Sequence, residues 1–461
     1  MPHVEPSIFR TYDIRGIVDQ AFTEATVELI GKALGSELVR QKETEIVLGR
    51  DGRLSGERFS KAITKGLLSV GVNVIDLGQV MTPMVYFAAE TLPNVRSCVV
   101  ITGSHNPPNY NGIKMVVKGV TLYGEYIQVL LKRILQSDFQ TGKTSGHYSQ
   151  HDIAADYQHR IISGIHLSRP LKVVIDSGNG IAGAYAPRIF RKLGCDVIEL
   201  FCDVDGHFPN HHPDPAKLKN LQDLSKKVIE THADIGVAFD GDGDRCGVVD
   251  NHGQPLYPDR QMMLFAQDIL GRQPGAEILY DIKCTALLPK VIHEAGGKAT
   301  MWKTGHSFMK AKMRESGAAL GGEVSGHMFF KERWYGFDDG VYTAARMSEI
   351  VAAQALTSSE LFSQLPDAYN TPEIDIPFAE GEHYAFMKKI EAIADFPEAD
   401  IFDLDGIRAD FKDGWGLIRP SNTSPVIVLR FEGETPQALQ RIQQKFKTLM
   451  LKVEPTLSLP F

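Results

Sequence analysis

Four short stretches of this sequence gather side chains whose types and spacing could do chemistry. Thr102-Gly103-Ser104-His105-Asn106-Pro107-Pro108 follows the apolar run Cys98-Val99-Val100-Ile101. That run reads as a buried strand of a parallel sheet, and the Gly and paired Pro end it in a turn. A hydroxyl is thus held at the carboxyl end of a strand, where α/β proteins place their chemistry. Asp240-Gly241-Asp242-Gly243-Asp244-Arg245 follows a second strand, 234–239. In an extended segment, positions i, i+2 and i+4 face one way, so three carboxylates converge. They need a cation between them, and hard oxygen ligands in this number suit Mg²⁺. Glu323, Ser325 and His327 alternate in the same way after Gly321-Gly322 and suit hydrogen bonding to vicinal sugar hydroxyls. The loop Arg419-Pro420-Ser421-Asn422-Thr423-Ser424-Pro425, with Arg430 a few residues on, offers a forked guanidinium and neutral donors, as a phosphate dianion requires.

Each stretch also has a plainer interpretation as a strand-to-loop turn or a hydrophilic hairpin. A calcium EF-hand is excluded at the aspartate loop, because its sixth position is Arg245 and its twelfth is Asn251. Ser177-Gly178-Asn179-Gly180-Ile181-Ala182-Gly183 contains a G-x-G-x-x-G after a strand, with Glu199 near the end of the next one. A dinucleotide could sit there, but three glycines also suit a tight, closely packed strand-to-helix turn, and that structural interpretation is preferred. No Walker A is present: Gly142-Lys143-Thr144 is preceded by Ser137 where the first Gly belongs.

Strand and helix patterns alternate from Glu45 to the Ser104 loop, restart at Leu171, and restart again after about residue 255. From about Thr371 the pattern changes to antiparallel strands with a turn near Gly406 and a closing helix from Pro436. The expected organisation is three α/β domains (1–150, 151–254 and 255–368) with mixed, mostly parallel sheets. A C-terminal α+β domain (369–461) completes the chain.

The 461 residues, 43% hydrophobic and 23% charged, are those of an ordinary globular protein of three or four domains. A net charge of −8 argues against a general nucleic-acid or membrane-surface binder, so an anionic substrate would need a local pocket of Arg and Lys. The first ten residues lack a signal-type apolar core, and no run approaches ~18 apolar residues. The five cysteines show no metal-finger or redox-pair spacing and read as buried reduced thiols, so a cytoplasmic location is expected.

Together the four loops resemble the α-D-phosphohexomutase family, specifically its phosphomannomutase/phosphoglucomutase branch, over essentially the whole chain. The resemblance implies that Ser104 is the phosphorylated serine and that Asp240, Asp242 and Asp244 hold Mg²⁺ together with Ser104. It makes Glu323, Ser325 and His327 the sugar-recognition set, and Arg419, Ser421, Asn422 and Thr423, with Arg430 nearby, the phosphate loop. Tyr12, Arg15, Lys114, Lys283 and His306 fall at positions the family uses around phosphate and sugar, with Arg245 beside the metal. The implied fold surrounds a central cleft. The implied reaction moves a phosphoryl group between C1 and C6 of mannose or glucose phosphate, through a hexose 1,6-bisphosphate that also serves as activator. Lys114 or His327 would handle the proton, with Arg15 and Arg245 adding positive charge. Val324 leans away from the phosphoglucosamine branch, which more often has Gln there. A phosphoglucosamine mutase, a Mg²⁺-dependent phosphatase and a non-catalytic sugar-phosphate sensor are the alternatives. A monomer or weak homo-oligomer is expected.

Overall fold

The computed structural model describes residues 4–140, 142, 144–379, 381–422 and 424–461, and folds them around four sheets in sequence order. In the first sheet, Cys98–Ile101 runs parallel to Glu45–Arg50, which in turn is parallel to Asn73–Gln79. Tyr110–Val117 joins antiparallel on the other side of Cys98–Ile101 and pairs in turn with Ile14–Ile17. Parallel neighbours end side by side, so the turn after Arg50 and the turn after Ile101 are brought together. In the second sheet Lys172–Asp176 lies parallel to both Asp196–Leu200 and Ile235–Phe239, and Cys246–Asp250 returns antiparallel. The third has Glu277–Asp281 parallel to Lys298–Trp302 and to Leu320–Gly322, with Met328–Phe330 antiparallel. The fourth is antiparallel throughout, from Asp400–Phe402 through Ile407–Phe411 and Gly414–Pro420 to Val426–Gly433.

The alternation read from the sequence therefore forms the expected three α/β sheets and a distinct C-terminal α+β unit. One continuous apolar core runs through the first three sheets, from Val47 and Val100 through Ile175 and Phe239 to Ile278 and Phe330. The fourth sheet has its own core of Phe386, Ile390, Phe431, Ile442 and Phe446. It is joined to the third domain through buried arginines. Arg408 donates to the carbonyls of Ile282 and Cys284, both at 2.7 Å, and lies 3.9 Å from the centre of the Trp415 ring. The first three domains share apolar surface, and the fourth is docked on the third by these polar contacts together with a small apolar cluster of Ile282, Trp415 and Leu417. Among the described residues no helix is long and apolar enough to cross a membrane.

Helix Gly340–Ala352 fixes the second sheet against the third. Its first residue abuts the aspartate loop: Gly340 N donates to the Gly243 carbonyl at 3.1 Å, and a Cβ there would come within 2.5 Å of the Arg245 carbonyl. Asp339 caps this helix through the Tyr342 amide (2.9 Å) and accepts from the Tyr157 hydroxyl of helix Ala154–Gly164 (2.8 Å). Burial pushes its carboxyl up to about 7, against the partial relief of those bonds. The folded state then binds this proton more tightly than the unfolded chain, whose Asp titrates near 4, so stability falls as pH rises through that window. Thermal unfolding checks this. Relative to Asp339→Asn, wild-type Tm is expected to decline between about pH 4 and about pH 7, the full effect being at most about 4 kcal/mol.

Candidate active site

The carboxyl ends of the three α/β sheets and one loop of the fourth domain enclose a cleft of about 320 Å³. The first domain contributes Tyr12, Arg15, Ser104 and Lys114, and the second Arg245. Lys283, His306, Glu323, Ser325 and His327 come from the third, and Arg419, Ser421 and Asn422 from the fourth. Thr423 lies outside the described residues. Residues more than 400 apart in sequence thus face one space.

Ser104 is 1% exposed and adopts a left-handed φ of +48°, which holds its hydroxyl off the line of the strand. Its amide donates to the Thr102 hydroxyl at 2.7 Å. The loop is clamped from beneath by Asp51 and Arg53, which stand at the end of the neighbouring parallel strand. Asp51 accepts from the Thr102 hydroxyl (2.7 Å), and Arg53 donates to the carbonyls of Ser104 (2.8 Å), Asn106 (2.5 Å), Pro107 (2.6 Å) and Tyr110 (2.9 Å). A Cβ on Gly103 would stand 2.5 Å from the Arg53 guanidinium, so glycine is needed for that approach. Arg15 reaches the Asn106 side chain and pairs with Asp13. The His105 ring lies 3.3 Å from Ser104 Oγ. Burial, followed by the charges of Arg245 and Arg15, pushes this imidazole well below its usual value, so it is neutral.

Asp240, Asp242 and Asp244 are fully buried, and each brings a carboxylate oxygen within 4.8 Å of the other two. They do so through a turn rather than the extended alternation expected from their spacing: Gly243 N donates to the Asp240 carbonyl at 3.2 Å. Ser104 Oγ donates to Asp240 Oδ2 at 3.0 Å, and Gly241 sits where a Cβ would come within 2.4 Å of the Ser104 carbonyl. Lys114 Nζ bridges Asp242 and Asp244 at 2.7 and 2.5 Å. Burial alone would depress this ammonium, but the four carboxylates Asp242, Asp244, Asp338 and Asp240 outweigh it and hold it above its usual range. Burial and the adjacent carboxylates push Asp240 well up, whereas Lys114 overcomes burial at Asp242 and holds it well down. Oδ1 of Asp242 and Oδ1 of Asp244 are buried with no hydrogen-bond partner among the described residues. Unpartnered carboxylate oxygens beside a serine hydroxyl fit a hard divalent cation such as Mg²⁺.

The third-domain loop also departs from strict alternation. Glu323 N and the His327 carbonyl close a turn at 2.9 Å, so the three side chains split into two groups. Ser325 Oγ donates to Glu323 Oε2 at 3.0 Å, and Gly305 N donates to Oε1 at 2.8 Å. His327 turns instead towards the aspartate loop: Nδ1 faces Asp338 at 3.0 Å, and Arg245 Nε donates to Nε2, also at 3.0 Å. The His306 ring lies 5.8 Å from that of His327, tilted by 27°. Lys283 pairs with Glu373 at 2.5 Å, and Lys217 with Asp375 at 3.3 Å, which ties the fourth domain across the mouth of the cleft.

In the fourth domain Arg419 is held by Asp405 (2.9 Å), and Asn422 Nδ2 donates to the Tyr12 hydroxyl at 2.7 Å. Tyr12 in turn donates to the Thr304 carbonyl at 2.7 Å, so one phenol joins the first, third and fourth domains. Arg430 is the expected phosphate residue that the structure places elsewhere. It is buried behind the cleft, paired with Asp259 at 3.0 Å and donating to the Lys283 carbonyl at 2.6 Å. Strand periodicity puts Arg430 on the same face as Val428, which does line the cleft, but Asp259 draws the longer side chain into the domain junction. The glycines of 178–183 are not a nucleotide loop. A Cβ at Gly180 would stand 3.0 Å from the Asp240 carbonyl, and Ile181 N donates to the Gly241 carbonyl, so this turn packs the aspartate loop from behind.

Sequence inspection missed Asp51 and Arg53 as the clamp, His105 as the imidazole beside the hydroxyl, and Asp338 as the support of His327. A signal existed for the first pair: Asp51-Gly52-Arg53 directly follows a strand, as Ser104 does.

Family models match the chain in four consecutive pieces. They are described as phosphoglucomutase/phosphomannomutase alpha/beta/alpha domains I (residues 6–141), II (155–253) and III (257–369), and the C-terminal domain (373–449). A phosphomannomutase/phosphoglucomutase of Pseudomonas putida is 50% identical, with both chains fully covered. A phosphoglucomutase of Neisseria meningitidis is 48% identical over 98% of each chain. The crystal structure of a phosphoglucomutase/phosphomannomutase family protein from Burkholderia thailandensis superimposes with a TM-score of 0.94 at 51% identity, covering all of both chains.

The clamp is testable. Lysine cannot reproduce a fork that serves four carbonyls. Arg53→Lys is expected to lower kcat about 100-fold with KM changed less than about threefold, because it loosens the hydroxyl and not the binding of substrate. Steady-state kinetics with both parameters resolved checks this.

Proposed function

The chain belongs to the phosphoglucomutase/phosphomannomutase family, mutases that interconvert phosphohexoses, and we propose that it moves a phosphoryl group between the C1 and C6 oxygens of both glucose and mannose phosphates. The observation that carries this is the Ser104 hydroxyl, 3.0 Å from Asp240, facing across one cleft the Arg419, Ser421 and Asn422 loop. One end handles a phosphoryl group and the other can hold one.

In this reading Ser104 carries a phosphoryl group and gives it to the free hydroxyl of a bound hexose monophosphate. The resulting 1,6-bisphosphate reorients, and its other phosphate returns to Ser104. The Arg419 loop holds whichever phosphate is not reacting, and Glu323 and Ser325 accept and donate to sugar hydroxyls in either orientation. Mg²⁺ held by Asp240, Asp242, Asp244 and Ser104 would supply charge neutralisation for the transferring group. Arg15, Lys114 and Arg245 place positive charge around the same oxygen atoms, and Lys283 and His306 line the sugar path. Lys114 and His327 are the two groups beside the aspartate loop through which the proton of the sugar hydroxyl passes. Exclusion of water by the fourth domain protects the phosphoserine from hydrolysis. Added hexose 1,6-bisphosphate restores phosphoserine that has been lost. In this reading the protein acts as a monomer or weak homo-oligomer, and the five cysteines, buried and free, suit the reducing cytoplasm.

Isomerisation of glucose 1-phosphate and mannose 1-phosphate, with Mg²⁺ and a trace of hexose 1,6-bisphosphate, tests this reading. Both sugars are expected to turn over, with at least about 1000-fold loss in Ser104→Ala. Chelation is expected to abolish turnover and added Mg²⁺ to restore it. Turnover of glucosamine 1-phosphate alone, or an active Ser104→Ala protein, would overturn the reading.

A further inference from the structure

A second cavity, of about 210 Å³, lies between the first and third domains and shares no lining residue with the cleft. Its walls are unusual for a chain of net charge −8. Arg96, Arg314 and Lys331, each exposed to solvent, line its rim, and none of these three side chains forms an ion pair among the described residues. Lys310 joins them, already neutralised by Asp338 at 2.9 Å and seated 4.2 Å from the centre of the Tyr86 ring. Glu90 is the one carboxylate in the lining, so the cavity holds an excess of two positive charges. Like charges gathered without counter-charge repel one another, and an anion relieves that repulsion.

The buried Tyr86 ring forms part of the wall, with Lys310 over its face. Gly119 adds a steric indication: a Cβ there would come within 2.6 Å of an Arg314 guanidinium nitrogen, so the glycine lets Arg314 lie against the backbone at the rim.

We propose that this cavity binds a small dianion of the phosphate or dicarboxylate type, separately from the substrate cleft. The guanidinium forks of Arg96 and Arg314 match two oxygens of such a group, and Lys331 supplies a third positive charge. The volume admits phosphate or malonate and falls below that of drug-sized ligand sites. Because the lining comes from both domains, the anion would join Arg96 of the first to Arg314 and Lys331 of the third.

Calorimetric titration of the full-length protein with inorganic phosphate and, separately, with malonate tests the proposal. Wild type is expected to bind one more equivalent of at least one of these anions than Arg96→Ala/Arg314→Ala. That variant should keep hexose phosphate turnover within about twofold of wild type, since neither residue faces the cleft. Lys331→Ala, altering one exposed side chain, should weaken the same equivalent by about fivefold or more. An extra equivalent seen with phosphate alone identifies a phosphate ligand, and one seen with malonate a carboxylate. Equal stoichiometry and affinity for both anions in all three proteins would overturn the proposal.

Discussion

Three buried carboxylates with oxygens within 4.8 Å of one another repel strongly in a medium that screens charge poorly, and the rest of the site answers that repulsion. Lys114 enters from the first domain and pairs with two of them, and the Ser104 hydroxyl donates to the third. The first and second domains are therefore held together at the point where phosphoryl chemistry is proposed. The same negative charge that requires a cation also makes the loop a place where a phosphorylated serine is tolerable only with metal and lysine present. Burial, metal binding and serine position are one constraint.

Positioning follows from sheet topology. Parallel strands end side by side, so the turns after Arg50 and Ile101 meet, and Arg53 can grip the Ser104 loop by its carbonyls. In the second sheet the same rule sets the 178–183 turn beside the aspartate loop, where its glycines permit close packing and leave no room for a nucleotide. The first three domains share one apolar core, which fixes the serine, the carboxylates and Glu323 relative to one another. The fourth has a separate core and is joined by Arg408, Arg430 and the Tyr12–Asn422 bond. One continuous core on the serine side and a separate core on the Arg419 side are compatible with the proposed 1,6-bisphosphate turning over between them.

Much of this was legible in the sequence because the key loops are local: each of the four motifs lies within a few residues, directly after an apolar strand. The strands Glu45–Arg50, Cys98–Ile101 and Glu277–Asp281 occupy the residues their apolar patterns predict. Period-two reasoning failed at the aspartate and Glu323 loops. There the carboxylates converge, and His327 diverges from Glu323, because the chain turns. Arg430 was misplaced for a related reason: proximity in sequence to the phosphate loop did not reveal the buried Asp259 that draws it away. The Arg53 clamp, the Asp338 support of His327 and the Tyr12–Asn422 bond join residues from 11 to 410 positions apart, and no strand or helix periodicity encodes such pairings.

The central claim is that Ser104 is the carrier of the phosphoryl group that reaches the sugar. A single-turnover experiment addresses it most directly: protein labelled with ³²P at Ser104 is mixed with excess glucose 1-phosphate and quenched at successive times. Label is expected to leave the protein and appear in hexose 1,6-bisphosphate and then in glucose 6-phosphate, at a rate no slower than steady-state turnover. Label that remains on the protein through many turnovers, or that passes to inorganic phosphate without entering a sugar, would contradict the account.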